Sequence, residues 1–356
     1  MGDPTVTGVD SGAGEFGFEL EVCAWADTHW TAVRPSAESA VVARQLGTRN
    51  RRWDTVIVEA DPAGLRARAR FGAAPLDPDL LRVVRHAPAT WQWYRDAIPE
   101  PEFPWRYVRE AVHRAADRGV VETRRTGAGR IECRRVAPYP DWIDRVIAIE
   151  NKPDLGASAA DALSDQLHRD VALALADEVW LATRPTADRV EPALLADMPV
   201  EAGVLLMDDG EATVRWEPAQ LPVEQPGTRI ESNPAGDGHD RSAGRFEYVP
   251  PRSKQTTRLA IAERAYGRGW RSYAETMRPD CRHFTLTRRS NGWHPYCHAK
   301  QRTQRAAECS GECSEFEPEP PAWRQRGWPI EGGPGATISR LLEARRRRHR
   351  PRLEES

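Results

Sequence analysis

Hydrophobic positions near the start of the chain recur first with the period of a helix and then with that of strands. Residues 15–30 have apolar side chains at helical spacing, which predicts an amphipathic helix that also carries Glu19. Val41–Leu46 and Asn50–Pro62 have the β-branched composition of strands. In the second strand, alternation places Asp54 on the same face as Val56 and places Trp53 on the opposite face. An acid in an apolar strand needs a cation or hydrogen bonds, so Asp54 is predicted as a metal ligand. The alternative is a strand-end cap or a partner of Arg51 or Arg52.

The middle of the chain changes to helical spacing and then to a hairpin. Helices are predicted from Leu80, over Thr90–Ala97 and over Trp105–Arg118. Val120–Arg135 alternates on both sides of a Gly-rich turn, which is typical of a β-hairpin. The three helices and the hairpin occupy residues 76–138 and predict a separate domain.

A strand, a helix and a second strand follow this domain. Arg145–Asp154 contains a short β-branched run that Pro153 stops, and Ser158–Asp177 repeats leucine and valine every four residues. Glu178–Arg184 is again strand-like, so we predict a parallel crossover of the two strands. Gly203–Trp216 is predicted as a hairpin that turns at an Asp-Gly pair.

The strand before Pro153 ends in an acidic and a basic residue that are candidates for catalysis. Alternation places Glu150 and Lys152 on one face and Asn151 on the other. A carboxylate and an ammonium side by side suit metal-assisted phosphodiester hydrolysis, in which the acid binds a divalent cation and the lysine helps the attacking water. One carboxylate is too few for a Mg²⁺ site, so a second acid is expected upstream. Asp54 is the first choice, and the alternatives are Glu59, Asp61 and Asp144.

Length and charge restrict the class of protein. A chain of 356 residues is expected to contain two or three domains. The formal net charge of −2 predicts no global nucleic-acid surface, so a basic surface has to be local. No apolar run has the length of a membrane span, and the first residues lack the pattern of a signal peptide. We therefore expect a cytoplasmic protein without membrane contacts.

Four of the six cysteines lie close together near the C-terminus. They are Cys281, Cys297, Cys309 and Cys313, separated by 15, 11 and 3 residues. Their polar neighbours offer no apolar core for reduced thiols, so the cluster predicts a metal site. Four thiolates fit tetrahedral Zn²⁺, which we favour, or a [4Fe-4S] cluster, with nearby histidines as substitute ligands. A basic helix is predicted after this region, over Ala336–Arg348.

The helices and hairpin of residues 76–138 resemble a winged-helix domain. The resemblance covers about sixty residues and depends on the step AADRGVVETRR from the third helix into the hairpin. It implies DNA binding, with the third helix in the major groove and the wing on the backbone. Protein docking is the alternative role of such domains. The residues that would supply phosphate contacts are Arg106, Arg109, Arg114, Arg124, Arg125 and Arg130.

The order of elements resembles the PD-(D/E)xK nuclease superfamily, which has the restriction-endonuclease-like fold. The resemblance depends on the acidic first helix, the strand with Asp54, the strand that ends in Glu-x-Lys, and the strand ADEVWLATRP. It implies that Asp54 and Glu150 bind Mg²⁺ or Mn²⁺, with Lys152 as the motif lysine. It also implies that Glu19 is the helical acid and Gln166 the polar residue of the following helix.

The chain departs from that superfamily in the 95 residues that separate Asp54 from Glu150. An inserted winged helix explains the gap. Along its full length the chain also resembles an uncharacterised haloarchaeal family.

The sequence thus predicts an α/β protein of several parts. A nuclease-like core is formed by residues 1–75 and 139–226, with the winged helix at 76–138 inserted into it. A linker is expected at 227–252 and a four-cysteine region at 253–356. The predicted function is a metal-dependent DNA nuclease in DNA repair or processing. The alternative is a non-catalytic DNA-binding regulator on a nuclease-derived scaffold, and its protein partners are unknown.

Overall fold

A six-stranded mixed sheet forms the centre of the fold in the computed structural model. The structure describes residues 11–48, 51–72, 74–154, 157–185, 196–231, 245–270, 283–289, 292–303 and 315. The first elements are α1 (Ser11–Val33), β1 (Ser39–Gly47), β2 (Arg52–Ala60) and α2 (Pro62–Ala69). Next come α3 (Pro78–His86), β3 (Gln92–Trp93), α4 (Tyr94–Ala97), α5 (Trp105–Asp117), β4 (Val121–Arg125) and β5 (Ile131–Arg135).

The second half of the chain completes the sheet and adds smaller ones. Its first elements are β6 (Ile143–Lys152), α6 (Ala157–Leu173), β7 (Glu178–Thr183), β8 (Gly203–Asp208) and β9 (Glu211–Trp216). They are followed by β10 (Gly227–Glu231), β11 (Arg245–Val249), α7 (Pro251–Arg268), β12 (Phe284–Arg289), β13 (Gly292–Cys297) and β14 (Arg302–Thr303). The strand order of the large sheet is β1-β2-β6-β7-β8-β9.

The direction of the strands follows from their connections. The pairs β1–β2, β2–β6 and β8–β9 are antiparallel, whereas β6–β7 and β7–β8 are parallel. The helix α6 connects the parallel strands β6 and β7, because a parallel pair needs a long connection. The α/β class and the parallel pair predicted from the sequence are therefore confirmed.

Helices cover both faces of the sheet. On one face α1 packs Phe18 and Trp30 with Ile57, Ile147 and Trp180 in one hydrophobic cluster. On the other face the helices α6 and α7 bury a second cluster, with the members Val56, Val58, Ala148, Leu163, Leu167 and Ile261. Sheet strands with both faces covered are rich in apolar residues, which is why β6 and β7 are almost continuously buried.

The inserted residues between β2 and β6 have a hydrophobic core of their own. The helices α3 and α5 pack on a three-stranded sheet in the order β3-β5-β4. The buried side chains include Leu80, Val84, Val108, Val112, Ile131 and Cys133. Asp77 begins α3 by accepting a hydrogen bond from the backbone N–H of Leu80 at 2.9 Å.

A fully buried ion pair lies at the junction between this insertion and the rest of the molecule. Arg68 of α2 forms it with Glu263 of α7, and both side chains are inaccessible to solvent. Glu263 also accepts hydrogen bonds from the hydroxyl of Tyr139 at 2.6 Å and from the backbone N–H of Leu76 at 2.8 Å. The two ends of the inserted segment are thus attached to one carboxylate.

Three local predictions are wrong in part. The helix expected over Thr90–Ala97 is a two-residue strand, β3, followed by the one-turn helix α4, because Gln92 and Trp93 pair with β5. The expected linker at 227–252 contains the paired strands β10 and β11. Trp53 packs in the cluster of Val56 and not on the opposite face. The positive φ of Gln45 interrupts the regular alternation beside it.

None of the helices that the structure describes is long and apolar enough to cross a membrane. The predicted helix Ala336–Arg348 lies outside the described residues.

Candidate functional site

Asp54 and Glu150 face each other across two neighbouring strands. The register of β2 and β6 pairs Thr55 with Ile149, so Asp54 stands opposite Glu150 at the next position. Cross-strand neighbours lie on the same face of a sheet. The carboxylate of Asp54 also accepts a hydrogen bond from the backbone N–H of Asn151 at 3.0 Å. The two acids, 96 positions apart in sequence, are therefore neighbours in the sheet.

Glu150 is buried beside another acid. Only 3% of its surface is exposed. Burial first, and then the charge of Asp54, raises the pKa of the Glu150 carboxyl to about 8, although Arg51 acts in the opposite direction. A bound cation would relieve this repulsion, so the pair has the electrostatics of a cation site.

A third acid, Asp170 of α6, completes the surroundings of Glu150. Arg51 donates hydrogen bonds to both carboxylate oxygens of Asp170, at 3.0 Å from Nε and 2.8 Å from Nη2. The same Nη2 lies 2.6 Å from Oε1 of Glu150. Burial is also the main cause that raises the pKa of Asp170. From the sequence, Arg51 is considered only as an alternative partner of Asp54, and Asp170 is not predicted as part of the site.

A sequence signal for Asp170 did exist. It lies four residues after Gln166 and three after Leu167, hence on the inner side of the predicted helix. Gln166 itself is half-buried one turn before Asp170. A charged residue on the apolar side of a helix needs a partner, and here that partner is Arg51.

Glu19 reaches the site through an intermediate side chain. It accepts hydrogen bonds from Arg44 at 2.8 Å and from Gln45 at 2.9 Å. The same amide nitrogen of Gln45 lies 3.1 Å from Asp54 Oδ1. Gln45 therefore bridges Glu19 and Asp54, while an ion pair with Arg44 holds Glu19.

Lys152 and Asn151 emerge on opposite faces, as alternation predicts. Asn151 donates a hydrogen bond to the Thr55 hydroxyl at 2.9 Å on the α1 side, where Thr55 also contacts Cys23. Lys152 is half-buried and follows Glu150 on the other side. Within the part of the chain that the structure describes, no hydrogen bond or ion pair occupies its ammonium group. Lys152 is thus available to a ligand.

The alternative acids are far from Glu150 or already engaged. Glu59 accepts hydrogen bonds from Trp30 at 2.8 Å and from Arg145 at 2.6 Å. Asp61 caps α2 by accepting the N–H of Gly64. Asp144 lies six positions before Glu150, which is about 20 Å along a strand. Asp54 remains the acid that can share a ligand with Glu150.

The six arginines predicted to contact phosphate are all exposed on the inserted domain. Four of them have partners there. Arg114 pairs with Asp77 at 2.6 Å, and Arg124 pairs with Glu132. Arg106 lies over Tyr107, and Arg130 lies over Trp93.

Arg109 on α5 and Arg125 on β4 differ from the other four. No described residue forms a hydrogen bond, ion pair or ring contact with the side chain of either of them. The Trp91 ring contacts two arginines of the hairpin. Arg124 lies 4.6 Å and Arg134 lies 4.8 Å from the centre of this ring.

The predicted cysteine site can be followed at one position only. Cys297 ends β13 and is half-exposed as a free thiol. Cys281, Cys309 and Cys313 lie outside the described residues, so the four-cysteine site stays a prediction. Among the described residues, no group of three or more His, Cys, Asp or Glu has the arrangement of a metal site.

The acid pair nevertheless has the donors that a hard divalent cation prefers. Carboxylate oxygens are the usual protein ligands of Mg²⁺. The ion keeps several of its water molecules, so one or two carboxylates from the protein are enough. Oε1 of Glu150 is buried and already lies 2.6 Å from a cationic group, the guanidinium of Arg51, so this oxygen stands where a positive charge is stabilised. The residues therefore fit a Mg²⁺ or Mn²⁺ ion bound by two carboxylates.

Comparison with known proteins gives a family but no activity. No curated protein and no solved structure matches this chain. One family model, described as Family of unknown function (DUF5787), matches residues 41–318. This match covers more than half of the sequence and includes Asp54, Glu150 and Lys152, and the chain therefore belongs to that family.

Proposed function

We propose that this protein is a metal-dependent DNA nuclease that acts in DNA repair or processing. The observation that carries the proposal is the meeting of Asp54 and Glu150 across β2 and β6, with Lys152 two positions further on the same strand. The order α1-β1-β2, insertion, β6-α6-β7 supports a restriction-endonuclease-like core, because it places an acidic helix and three antiparallel strands before a parallel crossover. On this proposal the protein works in the cytoplasm.

The residues have separate roles in phosphodiester hydrolysis. Asp54 and Glu150 would hold Mg²⁺ or Mn²⁺, with the backbone carbonyl of Asn151 as a further ligand. The ion would act as a Lewis acid on the scissile phosphate. Lys152 would orient the attacking water and offset negative charge. Glu19 and Gln166 would complete the polar surroundings from α1 and α6.

The insertion would position the duplex as a winged helix. Its sequence of α3, β3, α4, α5 and the β4–β5 hairpin, with strand order β3-β5-β4, supports that assignment. Exposed arginines on α5 and on the hairpin suit contacts with phosphates, which determine orientation on DNA without reading its sequence. Arg109 and Arg125 are the best placed, since no described residue neutralises them.

Nicking of supercoiled DNA tests the proposal. We expect cleavage in Mg²⁺ or Mn²⁺ and none in EDTA, and a loss of at least about 100-fold in Glu150→Ala and in Lys152→Ala. The exposed Glu211→Ala is the matched control and is expected to cleave as the wild type does. Activity that persists in both site variants would remove the proposal.

A second function, a non-catalytic DNA-binding regulator, is favoured by one observation. Arg51 already contacts Glu150 at 2.6 Å, and this acid is only 3% exposed. For a regulator, Arg109→Ala and Arg125→Ala would each weaken DNA binding. Each would also reduce by about 1 the slope of the logarithm of the binding constant against the logarithm of the salt concentration. Glu150→Ala would leave that binding unchanged, and no added metal would produce cleavage.

The four-cysteine region would hold Zn²⁺ or a [4Fe-4S] cluster that rigidifies the C-terminal part. Cys297 supports this use because its thiol is half-exposed at the end of a strand and forms no disulfide. Metal analysis of the purified protein and of Cys297→Ser tests it. Wild-type protein without stoichiometric zinc or iron would refute it.

A further inference from the structure

Arg51 is held at the site by two contacts of unequal kind. It stands at the start of β2, where its backbone N–H donates to the Thr48 hydroxyl at 3.1 Å. Its Nε and Nη2 form a two-pronged contact with Asp170, and its Nη1 donates to the carbonyl of Arg52 at 3.1 Å. A two-pronged arginine–carboxylate contact fixes geometry as well as charge. Asp170 is therefore the anchor of this guanidinium.

The contact of Arg51 with Glu150 constrains the guanidinium less than its contact with Asp170. Only one nitrogen of the guanidinium, Nη2, reaches Glu150, at 2.6 Å from Oε1. Two nitrogens, Nε and Nη2, reach Asp170, so a single-atom contact holds Glu150 and a two-pronged contact holds Asp170. The Glu150 contact is thus the one that can be exchanged for another cation.

Arg51 and a divalent ion would compete for Oε1 of Glu150. Two neighbouring cations repel each other, above all in a buried place with low dielectric constant. The side chain of Glu150 is 4% exposed and that of Asp170 is 2% exposed. A cation at Glu150 would therefore weaken the contact of Arg51 with Glu150, while Asp170 keeps the guanidinium within the site.

We propose that Arg51, positioned by Asp170, is a phosphate-binding residue of this site. In the free protein its Nη2 lies 2.6 Å from Glu150. When Asp54 and Glu150 hold a divalent ion, Nη2 of Arg51 has an N–H free for a phosphate oxygen of DNA. This inference rests on the proposed nuclease function. Arg51 then lowers the affinity for the metal ion, because its guanidinium competes with the ion for Glu150. It raises the affinity for DNA, because the guanidinium attracts the phosphate.

Two binding measurements test these opposite effects. Mg²⁺ binding is measured by calorimetry without DNA, and duplex binding is measured by fluorescence anisotropy in Ca²⁺, with a gel to verify intact DNA. For Arg51→Gln we expect Mg²⁺ to bind about tenfold tighter than to the wild type, because one competing positive charge is removed. We expect DNA to bind about tenfold weaker, because one contact with a phosphate is lost. Circular dichroism checks the fold of each variant.

The chain provides a matched control at the next position. The side chain of Arg52 is exposed and forms no contact with Glu150 or Asp170, so Arg52→Gln removes the same charge beside the site. It is expected to leave Mg²⁺ binding unchanged. Arg51→Lys keeps the charge and loses the planar fork, so it is expected to retain wild-type metal affinity and to lose part of the DNA affinity.

The outcomes separate this inference from the proposed function. If Arg51→Gln weakens both ligands equally, its role is structural and the inference is overturned. The same holds if wild-type protein binds Mg²⁺ and nicks DNA while Arg51→Gln behaves like Arg52→Gln. If wild-type protein neither binds Mg²⁺ nor nicks DNA, the nuclease proposal fails first, and the role of Arg51 fails with it.

Discussion

Replacement of Glu150 by glutamine should change how the stability of the protein depends on pH. Glutamine has almost the shape of a protonated glutamic acid and does not ionise. In the folded protein the carboxyl is buried beside Asp54, which raises its pKa from 4.5 to about 8. The folded state of the wild type therefore binds a proton that the unfolded chain has released at neutral pH.

The sign and size of the effect follow from proton linkage. Because the pKa is raised on folding, the stability contribution of protonated Glu150 is complete below pH 4.5 and is lost as the pH rises to about 8. Between these two pKa values the unfolded chain has released the proton and the folded protein still holds it. Relative to Glu150→Gln, wild-type protein should therefore lose about 1.4 kcal/mol of unfolding free energy for each pH unit in this range, and about 3 kcal/mol by pH 7.

Urea unfolding in EDTA at several pH values measures this difference. Urea is preferable to guanidinium, because guanidinium ions would compete with Arg51. The exposed Glu211→Gln is the control and should unfold in parallel with the wild type throughout. If the curves of Glu150→Gln and wild type also run parallel from about pH 5 to pH 8, the buried acid pair does not have the electrostatics described here.

Three further predictions concern the framework around the site. Arg68→Met leaves Glu263 buried without its cation, so urea unfolding should show a loss of about 3 to 5 kcal/mol in the free energy of unfolding. The double variant Arg68→Met with Glu263→Leu should recover part of this loss. Equal stability of Arg68→Met and wild type would contradict the prediction. Gly227→Ala places a Cβ 2.0 Å from the carbonyl oxygen of Leu173, so the melting temperature should fall, whereas Gly127→Ala, which meets no atom within 4 Å, should leave it unchanged. If the four cysteines hold a [4Fe-4S] cluster, the protein absorbs visible light, and if they hold zinc it is colourless and a chelator releases Zn²⁺; a protein with neither metal would refute both.

The sequence by itself determined most of the local structure. The repeat of buried positions predicted α1, β1, β2, α5, both hairpins and the β6-α6-β7 crossover, because the spacing of apolar residues is a property of each element alone. It also predicted that Glu150 and Lys152 share a face, because alternation in a strand has a fixed period. The prediction failed for Thr90–Ala97, where pairing of β3 with β5 overrides local helical spacing.

The tertiary structure decided which side chains meet. Asp54 stands opposite Glu150 only because β2 and β6 pair across the whole insertion, in a register that a shift of one residue would invert. Arg51 reaches Asp170 over 119 positions, and no local pattern determines such a contact. Side chains distant in sequence are brought together by the pairing and packing of all elements at once. The chain therefore specified its elements and its candidate acids, and only their packing placed Arg51 between Glu150 and Asp170.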